Sequence, residues 1–355
     1  MGFTNNAKFR AYYLLTLICV IYMFDYADRH VMASLLPFIK AEWQIADMDL
    51  GLLTSVVSLT IGIFTIPLSI LVDRWSRKKM ISIMVFVWSI ATLMCAFAEN
   101  YYQLLAFRAL TGLGEAAYAS AAVAMIMKTF PGNHRAKFIG FYNAAAPLGA
   151  GLGMAVGGYI GMIYGWRHAF GIVAIPGIIL AVQFWFVNDY RTIPLTEKSL
   201  RFMERLKMTL LTIVDLLKIK TLWYMYFCYA LIIGVNTSVL NWSPSYLERF
   251  LHFNRSTAGS LSGAIAALVL IGAPLGGYIS DRWLKIDKNA KLKVSYISTI
   301  LSAIALGVAL FTDNKTLAMT GFFVFGIFTV MYLAPATSII QEVVNPGMRA
   351  SSFWF

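Results

Sequence analysis

The sequence is short of charge, cysteine and histidine. Only 13% of its 355 residues are Asp, Glu, Lys or Arg, while 59% are hydrophobic. Soluble domains carry about 25% charge and about 45–50% apolar residues, so a soluble globular domain is excluded. Cys19, Cys95 and Cys228 lie singly in separate apolar runs, which excludes a disulfide framework or a cysteine metal cluster and leaves packing residues. The four histidines form no His-Glu-x-x-His pair, and there is no Gly-x-Ser-x-Gly turn. The sequence therefore predicts a protein that is not an enzyme and needs neither metal nor cofactor.

What is present is a series of long apolar runs, with a mean hydropathy of +0.70. The first is too long for a signal peptide and carries Asp25, Asp28 and Arg29 within it. Runs near 11–36, 49–72, 80–98, 101–127, 138–162, 168–188, 221–244, 256–280, 292–312 and 316–341 predict ten membrane-spanning helices. With the N-terminus inside, 22 of the 29 Lys and Arg fall on cytoplasmic segments and five on outer loops, the other two being Arg29 and Arg108 within spans. That asymmetry predicts a multi-pass protein of the plasma (inner) membrane with a cytoplasmic N-terminus. The net charge of +12 then reflects topology and anionic lipid contact, not nucleic acid.

The one long polar segment separates a six-helix bundle (1–188) from a shorter C-terminal bundle (221–355). Within the linker, 189–220, Leu200, Met203, Leu206, Leu210, Ile213 and Leu217 recur at helical spacing among basic residues, as in an amphipathic helix on the inner membrane surface. The halves echo one another. Asp73-Arg74-Trp75 after span two returns as Asp281-Arg282-Trp283 after span eight, 208 residues on, and Arg135-Ala136 returns as Arg349-Ala350 at an offset of 214. Parallel copies of one six-helix plan are a transporter signature. In the first half two helices follow Arg135, whereas six residues follow Arg349. The repeat thus predicts a twelve-span plan lacking helices eleven and twelve, the alternative being a native ten-span protein.

Charge within the hydrocarbon core is costly, so intramembrane ionisable residues mark function or mutual pairing. There are five: Asp25, Asp28, Arg29, Arg108 and Glu115. Spacings of four and seven put Asp25 with Arg29, and Arg108 with Glu115, on common helix faces. Counting from the outer ends puts Arg108 level with Asp28, and Glu115 near the depth of Asp25. With three acids and two bases one carboxyl is in excess, and burial of an unpaired acid favours its neutral form. Asp28, Glu115 and Asp25 are therefore candidate proton carriers. Arg29 and Arg108 are candidates for holding an anionic substrate, because guanidinium pairs bidentately with carboxylate or phosphate. A static salt-bridge cluster is the plainer alternative. His30, beside Arg29, reads as a hydrogen-bonded structural residue.

At the offset of 214, Phe322 stands opposite Arg108 and Thr329 opposite Glu115, while Gly326 matches Gly112. The second half is expected to contribute neutral polar and aromatic groups: Asn236, Asn241, Trp242, Tyr246, Tyr332 and Gln341. Trp242 and Tyr246 fit an interfacial aromatic belt equally well. Gly149, Gly151, Gly153, Gly157 and Gly158 predict close helix approach, and Pro244 and Pro335 predict kinks.

The loop Ser69-x-x-x-Asp73-Arg74-x-Ser76-Arg77-Lys78-Lys79 resembles the Gly-x-x-x-Asp-Arg-x-Gly-Arg-Lys-Lys motif of the major facilitator superfamily, with serine for both glycines. Gly277-x-x-x-Asp281-Arg282 is its echo. Asp28-Arg29, Arg108-x-x-x-Gly112-x-Gly114-Glu115, Ala146-Pro147-Leu148-Gly149 and Trp242-x-Pro244-x-Tyr246-Leu247 resemble the spinster-like branch. The Asp-Arg pair and the Arg with a Glu seven on are similar to the anion:cation symporters as well. Spinster-like proteins tend to have Asn where this sequence has Asp25. The resemblance implies an all-α integral membrane protein with the major facilitator fold, two pseudo-symmetric six-helix bundles working by alternating access. It implies secondary transport of a small organic anion or a lysolipid-like substrate, coupled to protons, in a monomer. Asp73, Arg74, Asp281 and Arg282 would serve as a conformational latch. A passive facilitator of the same fold or a non-transporting receptor are the alternatives.

Overall fold

A computed structural model describes residues 5–74, 76–130, 135–187 and 220–343, with side chains at all of these but 5–8, 70, 73, 74, 135–137, 221, 222, 226, 337 and 340–343. The expected linker helix, the side chains of Asp73, Arg74 and Gln341, and the Arg349 echo lie outside the described residues.

All regular structure among the described residues is helical. Seven helices make up the first half: α1 (Asn5–Trp43), α2 (Asp47–Arg74), α3 (Arg77–Cys95), α4 (Tyr101–Glu115), α5 (Tyr118–Thr129), α6 (Arg135–Tyr164) and α7 (Trp166–Trp185). Six follow: α8 (Lys220–Arg249), α9 (Arg255–Ala267), α10 (Val269–Leu284), α11 (Ala290–Phe311), α12 (Lys315–Phe328) and α13 (Leu333–Val343). They provide ten stretches long and apolar enough to cross a membrane, matching the ten apolar runs. Three of these, Tyr101–Thr129, Arg255–Leu284 and Lys315–Ala336, consist of two helices end to end. Hydropathy cannot reveal such breaks, because the broken turn is as apolar as its flanks.

Helix starts are sealed where unpaired amides need acceptors. Asn100 accepts from the Gln103 amide at 3.0 Å. Asn314 accepts from the amides of Thr316 and Leu317 at 3.0 and 3.1 Å. These two caps are themselves 214 residues apart, and the copies agree further inside. A Cβ on Gly112 would lie 2.6 Å from the Val57 carbonyl oxygen and 3.0 Å from Thr60 Cβ. A Cβ on Gly326 would lie 3.0 Å from the Ile265 carbonyl oxygen and 3.2 Å from Leu268 Cδ1. Ile265 and Leu268 are Val57 and Thr60 displaced by 208. Each half therefore seats its fourth helix on its second through the same glycine.

The described residues divide into two compact units, one within Met1–Ser199 together with Ser243–Gly263, the other within Leu200–Trp242 and Ala264–Phe355. Residues 243–263, from the second half of the chain, thus pack within the first unit. The reason is short-range. Arg249 pairs with Asp47 at 3.0 Å, and the Gly259 and Gly158 backbones nearly touch, a Cβ on Gly259 falling 3.2 Å from Gly158 Cα.

The glycine-rich helix α6 has two smooth sides. Gly149, Gly153, Gly157 and Gly161 meet Met23, Ala27, Val31 and Leu35 of α1, in parallel register at steps of four. Gly151 and Gly158 face Gly263 and Gly259 of α9. At Gly149 and Gly153 a Cβ would run into the carbonyl oxygens of Met23 and Ala27, so only glycine permits that closeness there. The apolar core of this unit gathers Ile18 and Ile21 of α1, Ile81 and Val85 of α3, Met125 and Ile126 of α5, and Phe184 of α7.

Candidate functional site

The charged residues within the spans converge in the first unit. Asp25, Asp28, Arg108 and Glu115 are buried, and the Arg29 side chain is 28% exposed. Helix α1 offers Asp25, Asp28 and Arg29 from neighbouring turns, and α4 brings Arg108 and, at its last residue, Glu115.

Two sub-clusters form. In one, Arg29 Nη2 donates to both carboxylate oxygens of Asp25 at 3.2 Å, and Arg29 Nε lies 2.8 Å from Glu115 Oε2. One guanidinium is thus shared by two carboxylates, and Glu115 Oε1 is buried without a hydrogen bond. In the other, Asp28 Oδ1 lies 3.6 Å from Arg108 Nη1, which also donates to the Asp28 carbonyl at 3.5 Å. Asp28 Oδ2 accepts a hydrogen bond of 2.7 Å from the Thr92 hydroxyl of α3. The surplus acid among the five charges therefore sits on the Arg29 side.

Glu115 occupies a helix break. Between α4 and α5 the chain leaves helical geometry at Ala117 (φ −124°, ψ 7°). The Ala116 carbonyl freed there accepts from the Thr65 hydroxyl at 2.9 Å, as a polar backbone atom in an apolar surround requires. The corresponding stretch of the second half breaks too, between α12 and α13, with buried Thr329 in place of Glu115 and buried Phe322 in place of Arg108.

Aromatic rings flank the exposed side of Arg29. Its guanidinium stands 5.2 Å from the Tyr26 ring centroid, a cation–π distance. Tyr26 stacks on His30 at 6.1 Å and meets Tyr22 edge-on at 5.0 Å. Instead of the hydrogen bond expected of a structural histidine, His30 Nδ1 is buried with no such partner.

The remaining candidates are dispersed. Asn241 and Trp242, both half-buried, and Tyr332 belong to the second unit, where Tyr332 meets Tyr229 edge-on at 5.5 Å. Tyr246 belongs to the first unit and stacks on Phe250 at 5.0 Å. Asp281 and Arg282 are exposed at the end of α10, with the Arg282 guanidinium 4.9 Å from the Tyr278 ring. Thr92, Thr65 and Tyr26 carried no signal in the sequence, because a threonine or tyrosine within an apolar run is ordinary packing material.

The description of the Major Facilitator Superfamily matches residues 18–354. The chain belongs to that superfamily. It is a family of transporters, not of enzymes. Spinster from Drosophila melanogaster is 25% identical over 96% of this chain, which spans 58% of the fly protein. The hexuronate transporter of Bacillus subtilis is 27% identical over 90% of this chain and 78% of its own length. In fold, a bacterial homologue of the human lysosomal transporter spinster, crystallised inward-facing and unoccupied, superposes with a TM-score of 0.82 at 23% identity. That match covers 99% of this chain and 78% of the homologue.

Proposed function

We propose that the chain is a secondary active transporter that moves an organic anion by alternating access, coupled to protons. The observation that carries this reading is the single guanidinium of Arg29 held between two buried carboxylates, Asp25 and Glu115. An anion arriving at the exposed part of Arg29 competes with those carboxylates for it. The carboxylate that loses its partner is an isolated charge in a poorly solvated place and takes up a proton. Anion and proton thereby enter together, and neither is comfortable in the site alone. In this reading Asp28, Glu115 and Asp25 carry the proton, Arg29 and Arg108 hold the anion, and Asn241, Trp242, Tyr246 and Tyr332 shape the rest of the substrate path.

The names of the relatives supply the candidate substrates: a hexuronate, an L-galactonate and, for the Arabidopsis thaliana relative, a sphingolipid. The proposed setting is a monomer in the plasma membrane with its N-terminus in the cytoplasm. It has bundles at 1–188 and 221–355 joined by a surface linker, with Asp73, Arg74, Asp281 and Arg282 latching one conformer.

The test is uptake into proteoliposomes of D-glucuronate and, separately, of a lysophospholipid, with and without an inward proton gradient. The gradient is expected to accelerate uptake of one of them, and Glu115→Gln to abolish that acceleration while substrate exchange at equal pH persists. Uptake indifferent to the gradient in the unmutated protein would replace symport with facilitated diffusion, and no transport of either would favour a receptor.

A further inference from the structure

We infer that Thr92 is a positioning residue of the charge cluster: its hydroxyl aims the Asp28 carboxyl at Arg108 and favours its ionised form, setting the pH at which Asp28 exchanges its proton. This rests on the proton-coupled reading above.

The hydroxyl is used unusually. A threonine in an apolar helix ordinarily donates to a carbonyl of its own preceding turn. Thr54, Thr60, Thr111, Thr129, Thr299 and Thr320 all do so here, at 2.8–3.0 Å. Thr92 instead donates at 2.7 Å to a carboxylate 64 residues away. Donor, acceptor and the facing arginine are each at most 2% exposed. Oδ2 is held by Thr92, while Oδ1 faces Arg108 at 3.6 Å without a hydrogen bond of its own. Neither oxygen of Glu115 accepts a hydrogen bond from a neutral donor among the described residues, Oε2 lying 2.8 Å from Arg29 Nε. A charge-assisted hydrogen bond to the ionised form favours that form, so Asp28 has in Thr92 a support that Glu115 lacks.

The groups that act on Asp28 are few. Arg108 and Glu115 come from α4, Thr92 and Cys95 from α3, and Asp25 and Arg29 from α1 itself. Helices α2, α5, α6 and α7, which also pack on α1, carry their Asp, Glu, Lys, Arg and His only in terminal turns. Removing the Thr92 hydroxyl therefore removes the one neutral donor to the Asp28 carboxylate among the described residues.

The measurement is an infrared pH titration of the protonated-carboxyl stretch, made on the full chain in liposomes without substrate. The band of Asp28 is assigned by its disappearance in Asp28→Asn. Thr92→Val is expected to raise the midpoint of that band by about one pH unit, the worth of one hydrogen bond to a charged group. Thr92→Ser, which restores the hydroxyl, is expected to return it to the unmutated value. Thr92→Ala is titrated in parallel, so that the outcome does not depend on valine being accommodated. An unmoved midpoint in both the Val and Ala variants, or an equal shift in Ser, overturns the assignment of Thr92 while leaving coupled transport intact. If no carboxyl of the unmutated protein titrates between about pH 4 and pH 9, across the range that perturbed carboxylates span, the proton-coupled reading falls and this role falls with it.

Discussion

Span four of the first half and span ten of the second are the same object built twice. Each begins with an asparagine cap, Asn100 or Asn314, seats a glycine on the second helix of its half, Gly112 or Gly326, and breaks before a buried tyrosine, Tyr118 or Tyr332. They differ in what lies between cap and break: Arg108 and Glu115 in one, Phe322 and Thr329 in the other. Architecture and chemistry have thus separated. The helix can be capped, seated and broken without the charges, so the charges are not there to make it fold.

The severest test of that separation exchanges the unlike residues. Phe322→Arg puts a cation where the second half provides no carboxylate in the matching place. It is expected to cost roughly 3–5 kcal/mol, the scale of an uncompensated buried charge, and Arg108→Ala, which strands Asp28, to cost a similar amount. Thermal unfolding in detergent measures both, and a silent Phe322→Arg would mean that the second half can supply a counter-charge after all. Next in size is the functional asymmetry. Glu115→Gln is expected to flatten the pH dependence of uptake, while Thr329→Val leaves it unchanged. A flattened profile in the second variant would show the halves to be chemically alike.

A smaller contrast concerns the paired glycines. Alanine at 112 is expected to cost about 1–3 kcal/mol by overpacking, and alanine at 326 less, because its Cβ would stand 3.0 Å and not 2.6 Å from the facing carbonyl. Equal losses of Tm would show that the two seats are equally tight. The smallest effect belongs to Asp287, in the turn between α10 and α11. A hydrogen bond from Lys293 and a 2.8 Å bond from the Asn289 amide hold its carboxyl below the usual carboxylate range. A depressed acid contributes stability above its unfolded-state pKa and loses it as pH falls through its folded value. Asp287→Asn is therefore expected to lower Tm slightly at neutral pH and not at all in strong acid.

Much of this was legible in the sequence. Ten apolar runs correspond to ten spans because hydropathy measures what the bilayer selects. The spacing of four between Asp25 and Arg29 and the matched depths of Asp28 and Arg108 follow from helix geometry alone. The glycines of α6 announced close packing, although a linear list could not show that they divide between two opposite neighbours. Other features left no trace. The breaks after Glu115 and in α9–α10 involve residues as apolar as their surroundings, and Thr92 looks like any threonine in a span until α1 is placed beside α3. That Arg29 serves two acids depends on side-chain reach, which residue counting does not contain.

The charged helix α1 lies backbone to backbone on α6, with Met23, Ala27 and Val31 resting on three glycines. Beyond them side chains engage as well, Tyr22 stacking on Tyr142 at 4.1 Å and Ser34 standing against Gly157. The position of Asp25 and Asp28 relative to α4 therefore depends on how closely the two backbones meet at Gly149 and Gly153. A single methyl added at Gly149 or Gly153 would shift α1 and with it Asp28 relative to Arg108 and Arg29 relative to Glu115, so the tuning of this site is open to change from residues that never touch a charge.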